Sequence, residues 1–269
     1  MSMAPTTRTR EVARGALTRV RVGAVDSRRL RVETTVTGPP TAPALRPMLL
    51  SSDDRSARVS LVPDGAMLLA GDSVAVEMAV GEGASLTVVE PAGTDAYDMD
   101  GGCADWSVTI TLAPGATLVW AGEPFVVSAG ADVTRDTRVT LAPGARHAVR
   151  ETVAHGRHGE RPGRLRTSWS ACDHDGRPLL VESLDLDAAS LVPGLLGPHR
   201  VLGSVTTVGL DIPAEADPDG RLDLHHGGTL WRHLAEQVHE IPQQAWDLVT
   251  RAAETGAGPV AGARTHEDA

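Results

Sequence analysis

A short sequence segment that occurs twice constrains the fold of this chain more than any other feature. Residues 106–118 read WSVTITLAPGATL, and residues 136–146 read DTRVTLAPGAR. A looser copy precedes both at residues 74–86. In every copy apolar and polar residues alternate, which is the period of a strand with one buried face, and a glycine-containing turn follows. The segment therefore predicts a repeated strand–turn unit.

The spacing of the turns bears on how these units are arranged. The turn glycines Gly83, Gly115 and Gly144 lie 32 and then 29 residues apart. A strand–turn–strand unit that recurs at this pitch favours coils of β-structure stacked on one another. An ordinary β-sandwich with similar turns stays open from the pattern alone. The sequence thus predicts an all-β fold, either a coiled, β-helix-like stack of strand–turn–strand units or a sandwich.

The rest of the chain gives a simple domain organisation. We expect one β-rich domain over residues 13–254, between a flexible N-terminus at 1–12 and a disordered tail at 255–269. An apolar stripe at helical spacing predicts a short C-terminal helix at about 242–253, with Pro242 in its first turn. Prolines predict a loop over residues 38–47, and glycines with aspartates predict another over 91–105.

Composition excludes several classes of function. The chain has 25 basic and 35 acidic residues, and its formal net charge of −10 argues against nucleic acid and anionic membranes as partners. Every basic residue is an arginine, so a Schiff-base or phosphate-loop lysine is impossible. No apolar run could span a bilayer, no secretion signal is recognisable, and only two cysteines are present. A cytoplasmic location is expected.

No complete catalytic signature occurs in the sequence. Three pairs of metal-ligating residue types are present, each expected in a loop or turn: His155 with His158, Cys172 with His174, and His225 with His226. Imidazole and thiolate are proper ligands for late first-row metals, but two ligands do not make a site. We expect solvated side chains at these places.

Two carboxylates carry more information. Glu123 follows a strand-like apolar run, and Glu151 lies one coil later, at the end of the third repeat. An acid among apolar β-coils is costly unless it is paired, ligated or hydrated. One interpretation is an ion pair with an arginine such as Arg150 or Arg157; the other is an acid that lines an internal polar path. An enzyme acting on polysaccharide, with Glu123, Asp136 and Glu151 as acid/base groups, is the alternative function, although aromatic residues are scarce.

The order of these motifs resembles the urease accessory protein family UreD, also called UreH, over roughly residues 15–252. The resemblance rests on the order in which several motifs occur. The repeat copy at 106–118 runs on to Trp120 and is followed by Glu123, and the copy at 136–146 is followed by Glu151. A glycine-rich stretch at 156–163, the segment 175–180, and GTLWR at 228–232 with Trp246 come after them. The chain departs from the family pattern at Ala70, in the stretch 90–97 and at residues 121–122.

The resemblance implies a function without catalysis. It implies a scaffold or chaperone for the incorporation of nickel into the urease metallocentre, acting with UreF and the GTPase UreG on apo-urease. It also implies a β-helix-like fold with an internal tunnel as the route of the metal. No tightly bound cofactor is implied, only nickel in transit, and Glu123 and Glu151 are the candidate residues along that route.

Overall fold

The computed structural model describes residues 14–26, 29–213 and 219–255. The flexible N-terminus predicted at 1–12 lies outside the described residues, as does the predicted tail apart from Thr255. The strands are β1 (Arg14–Asp26), β2 (Arg29–Thr37), β3 (Ala44–Ser52), β4 (Ser56–Asp64), β5 (Asp72–Val80), β6 (Ser85–Val89), β7 (Thr94–Ala96), β8 (Ala104–Leu112), β9 (Thr117–Ala121), β10 (Phe125–Val127), β11 (Asp132–Leu141), β12 (Arg146–His155), β13 (Arg164–Asp173), β14 (Pro178–Leu186), β15 (Val201–Val208), β16 (Arg221–Asp223) and β17 (Thr229–Ala235). The helix is α1 (Gln244–Thr255).

The repeated segments form three stacked coils. The first coil comprises β5, β6 and β7, the second β8, β9 and β10, and the third β11 and β12. Corresponding strands pair in parallel and in register, so that Val76 lies beside Val108 in one sheet and Leu86 beside Leu118 in the other. The prediction of a coiled, β-helix-like architecture is confirmed, and the chain is a β-solenoid rather than a plain sandwich.

The turn glycines also stack. Gly83, Gly115 and Gly144 have φ angles of 62°, 66° and 71°, a region that glycine enters without a steric penalty. The Gly83 N–H donates to the Pro114 carbonyl oxygen, and the Gly115 N–H donates to that of Pro143. Each turn is therefore hydrogen-bonded to the turn of the next coil, so the repeat of about 30 residues corresponds to one coil.

Two sheets enclose the interior. The first sheet has the strand order β14-β13-β11-β8-β5-β1-β2, and the second has the order β16-β17-β15-β12-β9-β6-β4-β3. The short strand β10 pairs with β12, and β7 pairs with β10. The central strands are parallel, whereas the outer strands form antiparallel pairs at both ends. These pairs end the stack, so the parallel coils are covered on both sides by antiparallel strands.

Two of the predicted loops are partly wrong. Pro47 lies in β3, paired with Leu61. A proline is tolerated there because β3 is the outer strand of the second sheet. One edge of such a strand forms no hydrogen bonds with a neighbouring strand, so the missing N–H of proline is not needed. The stretch 91–105 contains β7, which has only three residues and is too short to show a strand period.

The helix is confirmed, with its start two residues later than predicted. Ala245, Trp246 and Val249 are buried and pack against strand residues such as Ala148 and Val205. The outer face of β12 and β15 is thereby covered. Among the described residues, no helix is long and apolar enough to cross a membrane.

Candidate functional site

A small cavity lies between the two sheets, beside the second and third coils. Its volume is about 30 Å³, which suffices for water molecules. Its charged lining consists of Glu90, Glu123, Glu151, Arg135 and Arg150, and we call it the acidic cavity. Both acids singled out from the sequence thus line the same space.

Glu151 is held by an arginine from the facing sheet. Arg135 Nη2 donates to Glu151 Oε1 at 2.9 Å, and the two side chains are only 13% and 26% exposed. The guanidinium carbon of Arg135 also lies 4.7 Å from the ring centroid of Phe125. The pair spans β11 and β12, so the partner is Arg135 rather than either of the arginines considered from the sequence.

Glu123 lies between β9 and β10, at the edge of the acidic cavity. Arg150 Nη2 donates to Glu123 Oε1 at 3.2 Å, as one of the two interpretations predicted. Arg150 also contacts the N-terminal side of α1, donating to Gln243 Oε1 at 3.0 Å and lying over the Trp246 ring. The ion-pair interpretation therefore holds for both acids, and both also line the acidic cavity; that this cavity belongs to a polar path stays a prediction.

Glu90 was missed by sequence reasoning. One carboxylate oxygen, Oε1, accepts from Trp120 Nε1 at 2.9 Å, and the other, Oε2, accepts from the Glu123 backbone N–H at 3.0 Å. Burial raises the pKa of the Glu90 carboxyl above its usual value, although both hydrogen bonds oppose that shift. The signal available in the sequence was its position, directly after strand β6 in a stretch that departs from the family pattern.

A second cavity of about 30 Å³ adjoins the first and shares Arg135 and Glu151 with it. We call it the terminal cavity, because it lies between the last strands of the two sheets. Glu182 on β14 and Arg232 on β17 line it and form a two-bonded ion pair, one bond of which joins Arg232 Nη2 to Glu182 Oε2 at 2.8 Å. Charged side chains therefore continue from one cavity into the next.

Several buried N–H groups around these cavities lack a protein acceptor among the described residues. They are Trp106 Nε1 and Arg135 Nε at the acidic cavity, and Trp169 Nε1 and Arg232 Nε at the terminal cavity. All four groups can only donate. They require acceptor oxygens inside the cavities, and water is the usual one.

A fully buried histidine lies farther along β12. The His147 ring stacks on Trp169, with 5.5 Å between ring centroids and 24° between the planes. Burial lowers its pKa to about 4, so the ring is neutral at pH 7. Neither cavity includes His147 in its lining.

The metal-like pairs do not form a site in the interior. His155 is buried whereas His158 is exposed, and His225 and His226 are exposed side chains in edge-to-face contact. His174 does lie near Asp173 and Asp175 at an exposed turn, but the Asp173 carboxylate already accepts from Arg177. Cys172 contacts Thr140 rather than His174.

The trio of the alternative enzyme is not assembled. Asp136 follows Arg135 directly, and successive side chains of a strand point to opposite faces. Its carboxylate accepts from Ser168 Oγ at 2.6 Å and pairs with Arg138, away from the cavity that Glu123 and Glu151 line. The prediction that Asp136 works with these two acids is wrong, because the strand turns it to the other side of the sheet.

Comparison with known proteins identifies the family of this chain. A model of the family described as UreD urease accessory protein matches residues 18–261. The chain is 49% identical over 193 residues to urease accessory protein UreD 1 of Streptomyces griseus, covering 71% of this chain and 74% of the relative. It is 34% identical over 187 residues to urease accessory protein UreD of Frankia casuarinae, covering 66% of this chain and 58% of the relative.

Other relatives match shorter or more divergent stretches. Urease accessory protein UreD 3 of Streptomyces griseus is 38% identical over 156 residues, and the match spans 60% of its length. Urease accessory protein UreD of Methylobacterium is 29% identical over 204 residues. With the family model matched over most of the sequence, the chain belongs to the UreD family of urease accessory proteins.

Proposed function

We propose that this chain is a scaffold and chaperone that helps to incorporate nickel into the urease metallocentre. In this proposal it binds a UreF-type protein and a UreG-type GTPase and docks the assembly on apo-urease. Its membership of the urease accessory family supports the urease role. The acidic cavity, with three carboxylates inside a β-solenoid, is the observation that carries the nickel route.

The chemistry of the cavity suits passage rather than storage. Carboxylate oxygens and water bind divalent nickel more loosely than a closed set of thiolates and imidazoles. Glu123 and Glu151 are already paired with arginines, so a metal ion that binds them competes with Arg150 or Arg135 for the carboxylate charge. That competition shortens the residence of the ion, which a conduit needs.

The adjoining position of the two cavities supports a continuous route. They share Arg135 and Glu151, and the second continues to the Glu182–Arg232 pair. Strands β12, β15 and β17 are neighbours in the second sheet. The Cα atoms of Glu151 and Arg232 are therefore about 10 Å apart, which is two strand spacings. We infer that the acidic cavity and the terminal cavity lie on one route of the nickel ion.

The test is the nickel content of urease matured with and without this chain. Glu123→Gln and Glu151→Gln should lower the nickel content several-fold while the chain still co-purifies with the UreF-type and UreG-type proteins. Glu77→Gln is the matched control, since Glu77 pairs with Arg19 at 2.6 Å but does not line either cavity. Normal nickel content in the absence of this chain would contradict the proposed function.

A further inference from the structure

Glu90 differs from the other two acids of the acidic cavity. In the described part of the chain, Glu123 and Glu151 each form an ion pair, whereas Glu90 has no arginine or histidine within salt-bridge distance. Both of its carboxylate oxygens are instead occupied by N–H donors. A metal ion would therefore have to compete with an N–H donor at either oxygen of Glu90.

The two donors connect neighbouring corners of the solenoid. Glu90 ends the second-sheet segment of the first coil, while Trp120 and Glu123 belong to the same corner of the second coil. The corners are also joined by the Thr94 N–H, which donates to the Pro124 carbonyl oxygen at 3.0 Å. Gly93 permits this approach, since a Cβ atom there would lie 2.4 Å from the same oxygen.

One of the two hydrogen bonds of Glu90 holds the backbone of Glu123, whose side chain lines the acidic cavity. Glu90 Oε2 fixes the Glu123 N–H, and Arg150 fixes the Glu123 carboxylate from the other side. Pro124 follows and restricts the Glu123 backbone to extended conformations. The placement of the Glu123 carboxylate therefore depends on Glu90, although Glu90 does not contact that carboxylate directly.

We propose that Glu90 is a positioning residue of the acidic cavity, which sets the place of the Glu123 carboxylate by accepting the Trp120 and Glu123 N–H groups together. This role rests on the proposed function of the cavity as a nickel route. It differs from that of Glu123 and Glu151, because Glu90 acts by holding a neighbouring residue and not by binding the metal.

The polarity of the two hydrogen bonds supplies a sharp test. A carboxylate can accept with both oxygens, whereas the amide of a glutamine has one acceptor oxygen and one donor nitrogen. In Glu90→Gln the amide nitrogen must therefore face either the Trp120 or the Glu123 N–H, and one buried donor loses its acceptor. Trp120→Phe removes one of these donors, so a glutamine at position 90 can then serve the Glu123 N–H alone.

The experiment measures activation of apo-urease by the complete accessory complex against nickel concentration. Glu90→Gln should raise the nickel concentration for half-maximal activation about tenfold, with an unchanged yield of complex. The double variant Glu90→Gln/Trp120→Phe should return to within about twofold of Trp120→Phe alone. Glu82→Gln, at an exposed position in the turn of the same coil, is the control and should match the wild type.

A second readout follows the structure directly. The indole N–H resonance of Trp120, identified by its loss in Trp120→Phe, should shift in Glu90→Gln and stay unchanged in Glu82→Gln. Wild-type nickel dependence in Glu90→Gln would overturn the proposal. So would a double variant as defective as Glu90→Gln, since the carboxylate charge itself would then be what matters.

The outcomes also separate this inference from the function on which it rests. Normal nickel delivery with Glu123→Gln and Glu151→Gln would contradict the route itself. A defect in those two variants without one in Glu90→Gln would overturn only the role of Glu90. If Glu90→Gln does not fold, Trp120→Phe and the double variant decide: equal nickel dependence supports the positioning role, and a worse double variant contradicts it.

Discussion

The first and third coils share one backbone plan but have different interiors. In the first coil the inward side chains of β5 are apolar and buried: Val74, Val76, Met78 and Val80. In the third coil the strand β11 places Arg135 at a cavity, and β12 places Glu151 opposite it. These four positions of β5 show that an inward face of the solenoid can be built from apolar side chains alone. The Arg135–Glu151 pair has a desolvation cost that apolar side chains at the same place would not have, and we attribute its presence to the proposed function.

The largest effect is expected from breaking the interior ion pair on one side only. Arg135→Ala leaves the Glu151 carboxylate in the cavity without its partner and should lower the free energy of unfolding by about 3–5 kcal/mol. Urea denaturation measures this cost. Replacing both residues, as Arg135→Met/Glu151→Leu, should bring the stability back to within about 1 kcal/mol of the wild type, because an apolar pair then resembles the first coil.

This pair of variants tests the comparison itself. The double variant should be stable but unable to support nickel incorporation, which separates stability from function. A loss below about 1 kcal/mol in Arg135→Ala would mean that water compensates the lone carboxylate, and the contrast between the coils would then be weak.

A smaller effect is expected from His147, one of two buried histidines on β12. Its pKa is about 4 in the folded chain, below the 6.5 of an ordinary histidine, so between these values the unfolded state binds the proton more readily. The neutral ring contributes its full share of the free energy of unfolding above pH 6.5. As the pH falls from 6.5 towards 4, the free energy of unfolding decreases by about 3 kcal/mol. His147→Leu should remove this part of the pH dependence, as denaturation at a series of pH values would show.

His239 offers a control for that measurement, because it lies in the short turn before α1 and is not buried. His239→Leu should leave the slope between pH 6.5 and 4 as it is in the wild type. An unchanged slope in His147→Leu would instead mean that folding does not lower the pKa of His147.

The smallest effect is expected on the outer surface of the solenoid. Glu77 and Arg19 form an ion pair with side chains 45% and 38% exposed. Glu77→Gln should change the free energy of unfolding by no more than about 0.5 kcal/mol, because solvent screens such a pair. A cost comparable with that of Arg135→Ala would show that interior and surface pairs do not differ as the comparison requires.

The fold was largely accessible from the sequence, since the repeat and its turn glycines reported both the strand period and the pitch of the coils. The alternation did not reveal β7, because three residues are too few to show a period. Pro47 was placed in a loop because the sequence does not tell an edge strand from a central one.

The site was accessible only in part. Glu123 and Glu151 were found as acids next to apolar runs, and they do line one cavity. Arg135 and Glu182 were not found, because the partner of a buried charge depends on which strand faces it from the other sheet. Asp136 was misassigned for the related reason that its neighbours alone do not reveal which face of β11 turns inward.

The measurement that bears most directly on the central claim is the nickel content of urease matured by complexes containing wild-type chain, Glu151→Gln or Glu77→Gln. The account predicts that Glu151→Gln forms a full yield of complex but leaves urease several-fold depleted in nickel, while Glu77→Gln fills it normally. Equal nickel content for all three would contradict the claim that the interior acids serve the passage of the metal.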